Sequence, residues 1–150
     1  VLYSGTVSAA MEGPYYLTPA VAVSIGKMNE VRARQTAKLV MQLIERVIFT
    51  GKFPGILNIN VPEKKGDICL ENVVVAPQTV QFYKNVIVEK KDENGDSYIR
   101  IVGDIDMSTA PTFSDIANIK AGKITVTPLR WQQTATAAME TVDRLIFHKY

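Results

Sequence analysis

The chain is poor in the residues that build disulfides and imidazole chemistry: its 150 residues include one cysteine, Cys69, and one histidine, His148. A single thiol allows no disulfide within the chain, which suits a reducing compartment. A His-Cys nucleophile pair would need these two residues to meet across most of the sequence. The plainer reading is a chain-end histidine and a small, partly buried thiol. Charge of one sign is also scarce, with a formal net charge of +2. The densest basic pairs, Lys64-Lys65 and Lys90-Lys91, stand beside Glu63, Glu89 and Asp92. That is not the basic stripe of a protein that grips nucleic acid polymers. No apolar run approaches the roughly 20 residues needed to cross a bilayer. The opening Val1-Leu2-Tyr3-Ser4 lacks the basic region and apolar stretch of a signal peptide. It also lacks an initiator Met and runs straight into patterned sequence, so a start within a domain is expected.

What is present is an ordinary globular mixture, 47% hydrophobic and 21% charged. A chain of this length hides roughly two-thirds of its unfolded surface on folding. Helical and strand-like periods alternate along it. Residues 7–12 are helix-compatible, and Gly13-Pro14 reads as their stop. Ala20 to Ser24 is a short apolar run suited to a strand covered on both faces. From about Asn29 to Phe49, an amphipathic helix is expected. Its apolar stripe is Ala33, Ala37, Val40, Leu43, Ile44, Val47 and Ile48, with Arg32 off the stripe and Gly51 as the stop. Ile56 to Val61 reads as a strand ended by Pro62, and Val73 to Val75 as another buried-type run. Val86 to Val88 and Tyr98 to Val102 flank an Asn94-Gly95 pair, a hairpin signal whose charged tip should project. Ser114 suits the cap of a short helix stopped near Gly122. Lys123 to Thr127 suits a strand closed by Pro128. From about Ala135 to His148, a helix is expected with the stripe Ala135, Ala138, Met139, Val142, Leu145 and Ile146. The alternation assigns the α/β class, with the hairpin as an added element.

The stretch Tyr3-Ser4-Gly5-Thr6-Val7-Ser8-Ala9-Ala10-Met11-Glu12-Gly13 places two hydroxyls and a glycine between a strand end and a helix start. The free N–H groups of a first helical turn, with the helix dipole behind them, can hold an anion such as phosphate. Gly5 would let the anion close to the backbone, and Ser4 and Thr6 would add donors. The bland alternative is a plain N-cap. Other candidates are weaker. Asp104 and Asp106 share one face of a strand across Ile105, but a hard cation needs more oxygens than two. Asp92, Glu93 and Asp96 read as solvated turn residues. Tyr15, Tyr16 and Tyr83 could stack a base, but a core or rim contact is the plainer reading of each. Trp131 reads as a packing anchor.

This first motif resembles the Tyr-Ser-Gly-Thr-Val-x-Ala-Ala-x-Glu-Gly signature of the survival-protein-E (SurE) family of metal-dependent nucleotidases. The resemblance continues in order through Pro19 to Ser24, then Leu57-Asn58-Ile59-Asn60-Val61-Pro62, then Asp92, Gly95 and Tyr98 to Gly103, and finally Ile124-Thr125-Val126-Thr127-Pro128-Leu129. Ser114-Asp115-Ile116-Ala117 sits where the family has Gly-Thr-Asp and a helix, with Phe113 in place of its Gly and Ser114 in place of its Thr.

The resemblance implies a Rossmann-like, three-layer α/β/α core. Residues 1–150 would be the carboxy-terminal part of one domain: core elements at about 1–80 and 112–130, a hairpin at about 84–103, and a C-terminal helix at about 134–148. It implies a phosphatase acting on nucleoside monophosphates with a divalent metal, magnesium or manganese, in the intact protein. Ser4, Gly5 and Thr6 would face the substrate phosphate. The family's metal ligands are an Asp-Asp pair, a Ser and an Asn preceding the signature. They would all lie upstream of Val1, leaving the chain by itself without metal and inactive. The hairpin and last helix would serve a homodimer or homotetramer, in the cytoplasm, with no membrane or nucleic acid polymer as partner. The alternative is a truncated or degenerate homologue acting as an oligomerisation or anion-binding module.

Overall fold

The computed structural model describes residues 4–63, 67–79, 83–105, 111–132 and 134–147. Helix α1 (Gly5–Tyr15) leads into strand β1 (Ala20–Ile25), and helix α2 (Glu30–Leu43) continues as a π-helical segment, Ile44–Thr50. Strands β2 (Ile56–Val61) and β3 (Val73–Val75) follow, then the hairpin strands β4 (Tyr83–Lys91) and β5 (Ser97–Ile105). Helix α3 (Asp115–Lys120), strand β6 (Ile124–Leu129) and helix α4 (Met139–Phe147) follow, and short 3-10 turns occupy Leu70–Asn72 and Thr136–Ala138.

Four strands form one sheet in the order β1-β2-β6-β3. β1 runs parallel to β2, β6 runs antiparallel to β2, and β3 runs parallel to β6. The β1-α2-β2 stretch is therefore a parallel pair joined by a crossover helix, the unit from which α/β layers are built.

The sheet has two unlike faces, because successive side chains along a strand point to opposite sides. On one face Leu57, Ile59 and Val61 of β2 join Ile124 and Val126 of β6 under Leu39 and Leu43 of α2, with Val21, Val23 and Ile25 packed alongside. The opposite face carries Ala20, Ala22 and Ser24, then Ile56, Asn58 and Asn60, then Thr125, Thr127 and Leu129. Helix α1 lies on this second face. A Cβ on Gly13 would stand 2.7 Å from the Ala20 Cβ and 2.8 Å from the Thr18 carbonyl oxygen. With α1 on one side and α2 on the other, the chain folds as an α/β/α three-layer core.

Several local expectations need correcting. Gly13-Pro14 does not stop α1, which runs on to Tyr15 with Pro14 inside it. The stop comes from Leu17 at φ 57°: the Thr18 N–H donates to the Gly13 carbonyl and the Leu17 N–H to the Pro14 carbonyl. This left-handed closure usually falls to glycine. The buried stripe of α2 is Thr36, Leu39 and Leu43, whereas Ala37 is exposed. Arg32 is half-buried, and its guanidinium donates to the Pro62 carbonyl at the end of β2. A helical period places residues 32, 36, 39 and 43 on one side, and the aliphatic stem of Arg32 lets a cation sit there. Val75 is exposed rather than buried, because β3 is an edge strand. Pro128 lies inside β6, opposite Leu57. It is tolerated because β3 reaches no further along β6 than Val126, leaving one flank there without a ladder to break.

The hairpin closes through three residues. The Asp92 N–H donates to the Asp96 carbonyl, Gly95 takes φ 89°, and the Asp92 carboxylate accepts from the Asn94 and Asp96 N–H groups. This is the three-residue loop with glycine in the left-handed position, one step longer than the tightest Asn-Gly turn. Val86, Ile87 and Ile99 on its strands are exposed, as are Met139, Val142, Leu145 and Ile146 on α4.

The contact between Gly13 and Ala20 makes two variants diagnostic. Gly13→Ala should overpack the α1–β1 junction and cost about 1–3 kcal/mol of unfolding free energy. Leu17→Gly removes a side chain that is 95% exposed and relieves a left-handed residue, so it should stabilise by up to about 1 kcal/mol. Thermal denaturation of the two variants reads both shifts, which should have opposite signs.

Candidate functional site

Helix α1 begins at Ser4, whose extended backbone and side chain form its N-cap. The Val7 N–H donates to Ser4 Oγ at 3.2 Å, and the Ser8 N–H donates to the Ser4 carbonyl at 2.9 Å. The cap reading of Ser4 therefore holds. It does not exhaust the group, because a hydroxyl that accepts one hydrogen bond retains its own proton to donate. The amides of Gly5 and Thr6 belong to the first turn, which has no intrahelical acceptors. Both residues are exposed. A Cβ built on Gly5 would meet nothing within 4 Å, so among the described residues no packing requires glycine there. Val7 turns inward and is buried, which anchors the turn that carries these amides.

Chain geometry fixes where this turn lies over the sheet. Gly13 abuts Ala20, and the eight residues from Gly13 back to Gly5 span about 12 Å of helix. From Ala20 to Ser24 the strand advances about 13 Å. The α1 N-terminus thus stands level with the carboxyl ends of β1 and β2. At that edge the Gly26 N–H donates to the Val61 carbonyl, and a Cβ on Gly26 would stand 2.8 Å from the Glu63 amide nitrogen. The Arg32 guanidinium, held on the Pro62 carbonyl, adds a permanent positive charge to the same edge.

The remaining candidates are dispersed. Ser114 is buried and caps α3, its Oγ accepting from the Ala117 N–H at 3.3 Å. The neighbouring Asp115 carboxylate accepts from the Thr79 N–H, the Thr79 hydroxyl and the Ile116 N–H at 2.8–3.0 Å. That pattern ties α3 to the loop after β3, a structural use that the sequence left open. Tyr15 and Tyr16 are exposed and stack edge to face, centroids 5.1 Å apart, and Trp131 is half exposed. Asp92, Glu93 and Asp96 lie exposed at the hairpin tip. Tyr3, Asp106 and His148 lie outside the described residues, as do the side chains of Tyr83 and Asp104.

Sequence reading missed the polar face of the sheet, where Asn58 is buried and the Thr127 hydroxyl donates to the Ala76 carbonyl at 2.8 Å. Its signal was the strict alternation of Leu-Asn-Ile-Asn-Val and Ile-Thr-Val-Thr. Among the described residues no three His, Cys, Asp or Glu side chains gather where a metal ion could be held. These residues alone do not fit the divalent ion that the resemblance implies. Nor is any described helix long and apolar enough to cross a membrane.

Comparison with known proteins gives a consistent picture. The family model described as Survival protein SurE matches residues 1–85. A Synechococcus sp. (strain JA-3-3Ab) protein named 5'-nucleotidase SurE is 32% identical over 145 residues, covering 96% of this chain and 56% of the relative. A Heliobacterium modesticaldum protein of the same name is 32% identical over 144 residues, covering 95% of this chain and 53% of the relative. The chain spans about half the length of these curated relatives. The crystal structure of the SurE protein from Aquifex aeolicus superposes with a TM-score of 0.70 at 27% identity, over 96% of this chain and 58% of that one.

Cys69 is half-buried and precedes the 3-10 turn Leu70–Asn72 that leads into β3. A hydrogen bond to the Glu71 carboxylate raises its thiol above the ordinary range, and the same bond lowers the Glu71 carboxyl. A raised thiol is mostly protonated at neutral pH and slow to alkylate. Glu71→Gln removes the negative acceptor and should lower the thiol pKa. Iodoacetamide labelling of Cys69 should then accelerate at pH 8, with its pH profile displaced to lower pH.

Proposed function

The chain belongs to the SurE family, and on that premise we propose that the intact protein is a metal-dependent phosphatase that hydrolyses nucleoside monophosphates at a 5' or 3' position. This chain would supply the phosphate-facing turn at Ser4, Gly5 and Thr6. The supporting observation is the open first turn of α1: two amides without intrahelical acceptors, a capping serine that keeps a proton to donate, and a glycine that no packing among the described residues explains.

In this reading the Gly5 and Thr6 amides and the Ser4 and Thr6 hydroxyls converge on the phosphoryl oxygens. Donors fixed before the substrate arrives need not reorganise as charge builds on those oxygens, so they favour the transition state over the ground state. The dipole of α1 acts in the same direction. The divalent ion, magnesium or manganese, would be held by residues other than those described for this chain, and would polarise the phosphate.

The exposed apolar strands of the hairpin and the exposed stripe of α4 support assembly into a homodimer or homotetramer through these elements. A cytoplasmic location accords with the single thiol. A second reading, a non-catalytic oligomerisation or anion-binding module, draws on the lack of a metal-binding group among the described residues. Hydrolysis of a generic phosphate ester by the intact protein separates the two. Turnover abolished by a chelator is expected, and pure folded protein without turnover selects the second reading.

In the intact protein Ser4→Ala and Thr6→Ala should each lower turnover by roughly 100-fold, about 3 kcal/mol of transition-state stabilisation. Ser4→Ala should also cost about 1 kcal/mol of stability as a lost cap. Gly5→Ala should leave the melting temperature unchanged or raise it while turnover falls, because the added methyl obstructs the anion and not the fold. Full activity in all three variants removes the turn from the mechanism.

A further inference from the structure

The polar face of the sheet runs beneath the start of α1. Ser24 of β1 pairs with Asn60 of β2, and Asn60 pairs with Thr125 of β6. Paired residues on adjacent strands share a face about 5 Å apart, so the three side chains form one row. The row starts at the level of Gly5, since Gly13 abuts Ala20 and helix and strand then advance equally, by about 12 and 13 Å. Burial deepens along it: Ser24 is exposed, Asn60 is half-buried and Thr125 is 0% exposed. At its deep end Thr125 Oγ1 has no hydrogen-bond partner among the described residues. A buried hydroxyl left unsatisfied is costly, and valine would fill the same volume without that cost. Thr127, two residues on, satisfies its own hydroxyl on the Ala76 carbonyl.

We propose that Asn60 is a further phosphate-binding residue, whose carboxamide N–H donates to an oxygen of the phosphoryl group held at the α1 N-terminus, with Thr125 as its positioning residue. The strands place Asn60 beside Ser24, the strand residue level with Gly5. A carboxamide brings two donors without adding charge. Thr125, next along the row and sealed from solvent, is placed to donate to the Asn60 carboxamide oxygen. That turns the amide N–H groups outward and gives the orphaned hydroxyl its partner when the anion binds. The inference rests on the phosphatase reading, and its test separates the two.

The test is calorimetric titration of the intact protein with inorganic phosphate, alongside thermal melts. Asn60→Ala should weaken phosphate binding by roughly 10- to 100-fold, the loss of one hydrogen bond to a charged group. Asn60→Asp should weaken it further, since a carboxylate would then face the anion. Thr125→Val should melt no lower than the unsubstituted protein yet bind phosphate more weakly, and Thr125→Ser should restore binding. Weakened binding in Ser4→Ala and Thr6→Ala with unchanged binding in both Asn60 variants overturns this proposal and leaves the phosphatase reading standing. Unchanged binding in a stably folded Thr125→Val overturns the positioning role. No phosphate uptake by the unsubstituted protein removes the parent reading and this one with it.

Discussion

The close approach of α1 to β1 governs the arrangement of the whole candidate site. Because Gly13 has no Cβ, the helix can settle against Ala20 at a separation that no other residue allows. The left-handed turn at Leu17 then reverses the chain within four residues. Helix and strand consequently run antiparallel over nearly equal lengths. The electropositive end of α1 is carried to the carboxyl edge of the parallel pair β1–β2, the edge at which α/β sheets gather ligands.

The two faces of the sheet divide the work of the fold. The face under α2 is aliphatic and holds most of the buried core. The face under α1 is built from small and polar residues, Ala22, Ser24, Asn58, Asn60, Thr125 and Thr127. Burying such groups is unfavourable unless they are paired. Among the described residues Thr127 meets that condition and Thr125 does not. The aliphatic face stabilises the sheet sufficiently to carry a polar face, and a polar face adjoining a helix N-terminus is suited to an anionic ligand. The hairpin and α4 are a separate matter: their exposed Val86, Ile87, Ile99, Leu145 and Ile146 contribute nothing to this core.

Much of this was legible beforehand. The α/β class, the hairpin around Gly95 and the cap at Ser114 followed from local patterns, whereas the family came from the resemblance of ordered motifs. Such patterns register short-range physics: side-chain period, turn chemistry and capping. The misreadings share a cause. Gly13-Pro14 has the composition of a helix stop, yet the proline continues the turn and the glycine serves a contact with a strand that follows. Arg32 falls off the apolar stripe expected from the sequence, yet the end of β2 offers it a carbonyl. Pro128 looked like a terminator, until the shortness of β3 left room for it.

Periodicity, hydroxyl and glycine spacing, and charge balance were settled by residue order, because each depends on neighbours a few positions apart. Order alone pointed to an α/β chain with a helix opening near Ser4-Gly5-Thr6. Which strand lies beside which was decided in three dimensions: Ser24, Asn60 and Thr125 stand far apart along the chain and become one row only when β1, β2 and β6 pair. A register is a long-range choice made by the burial of a whole face, and no local window contains it.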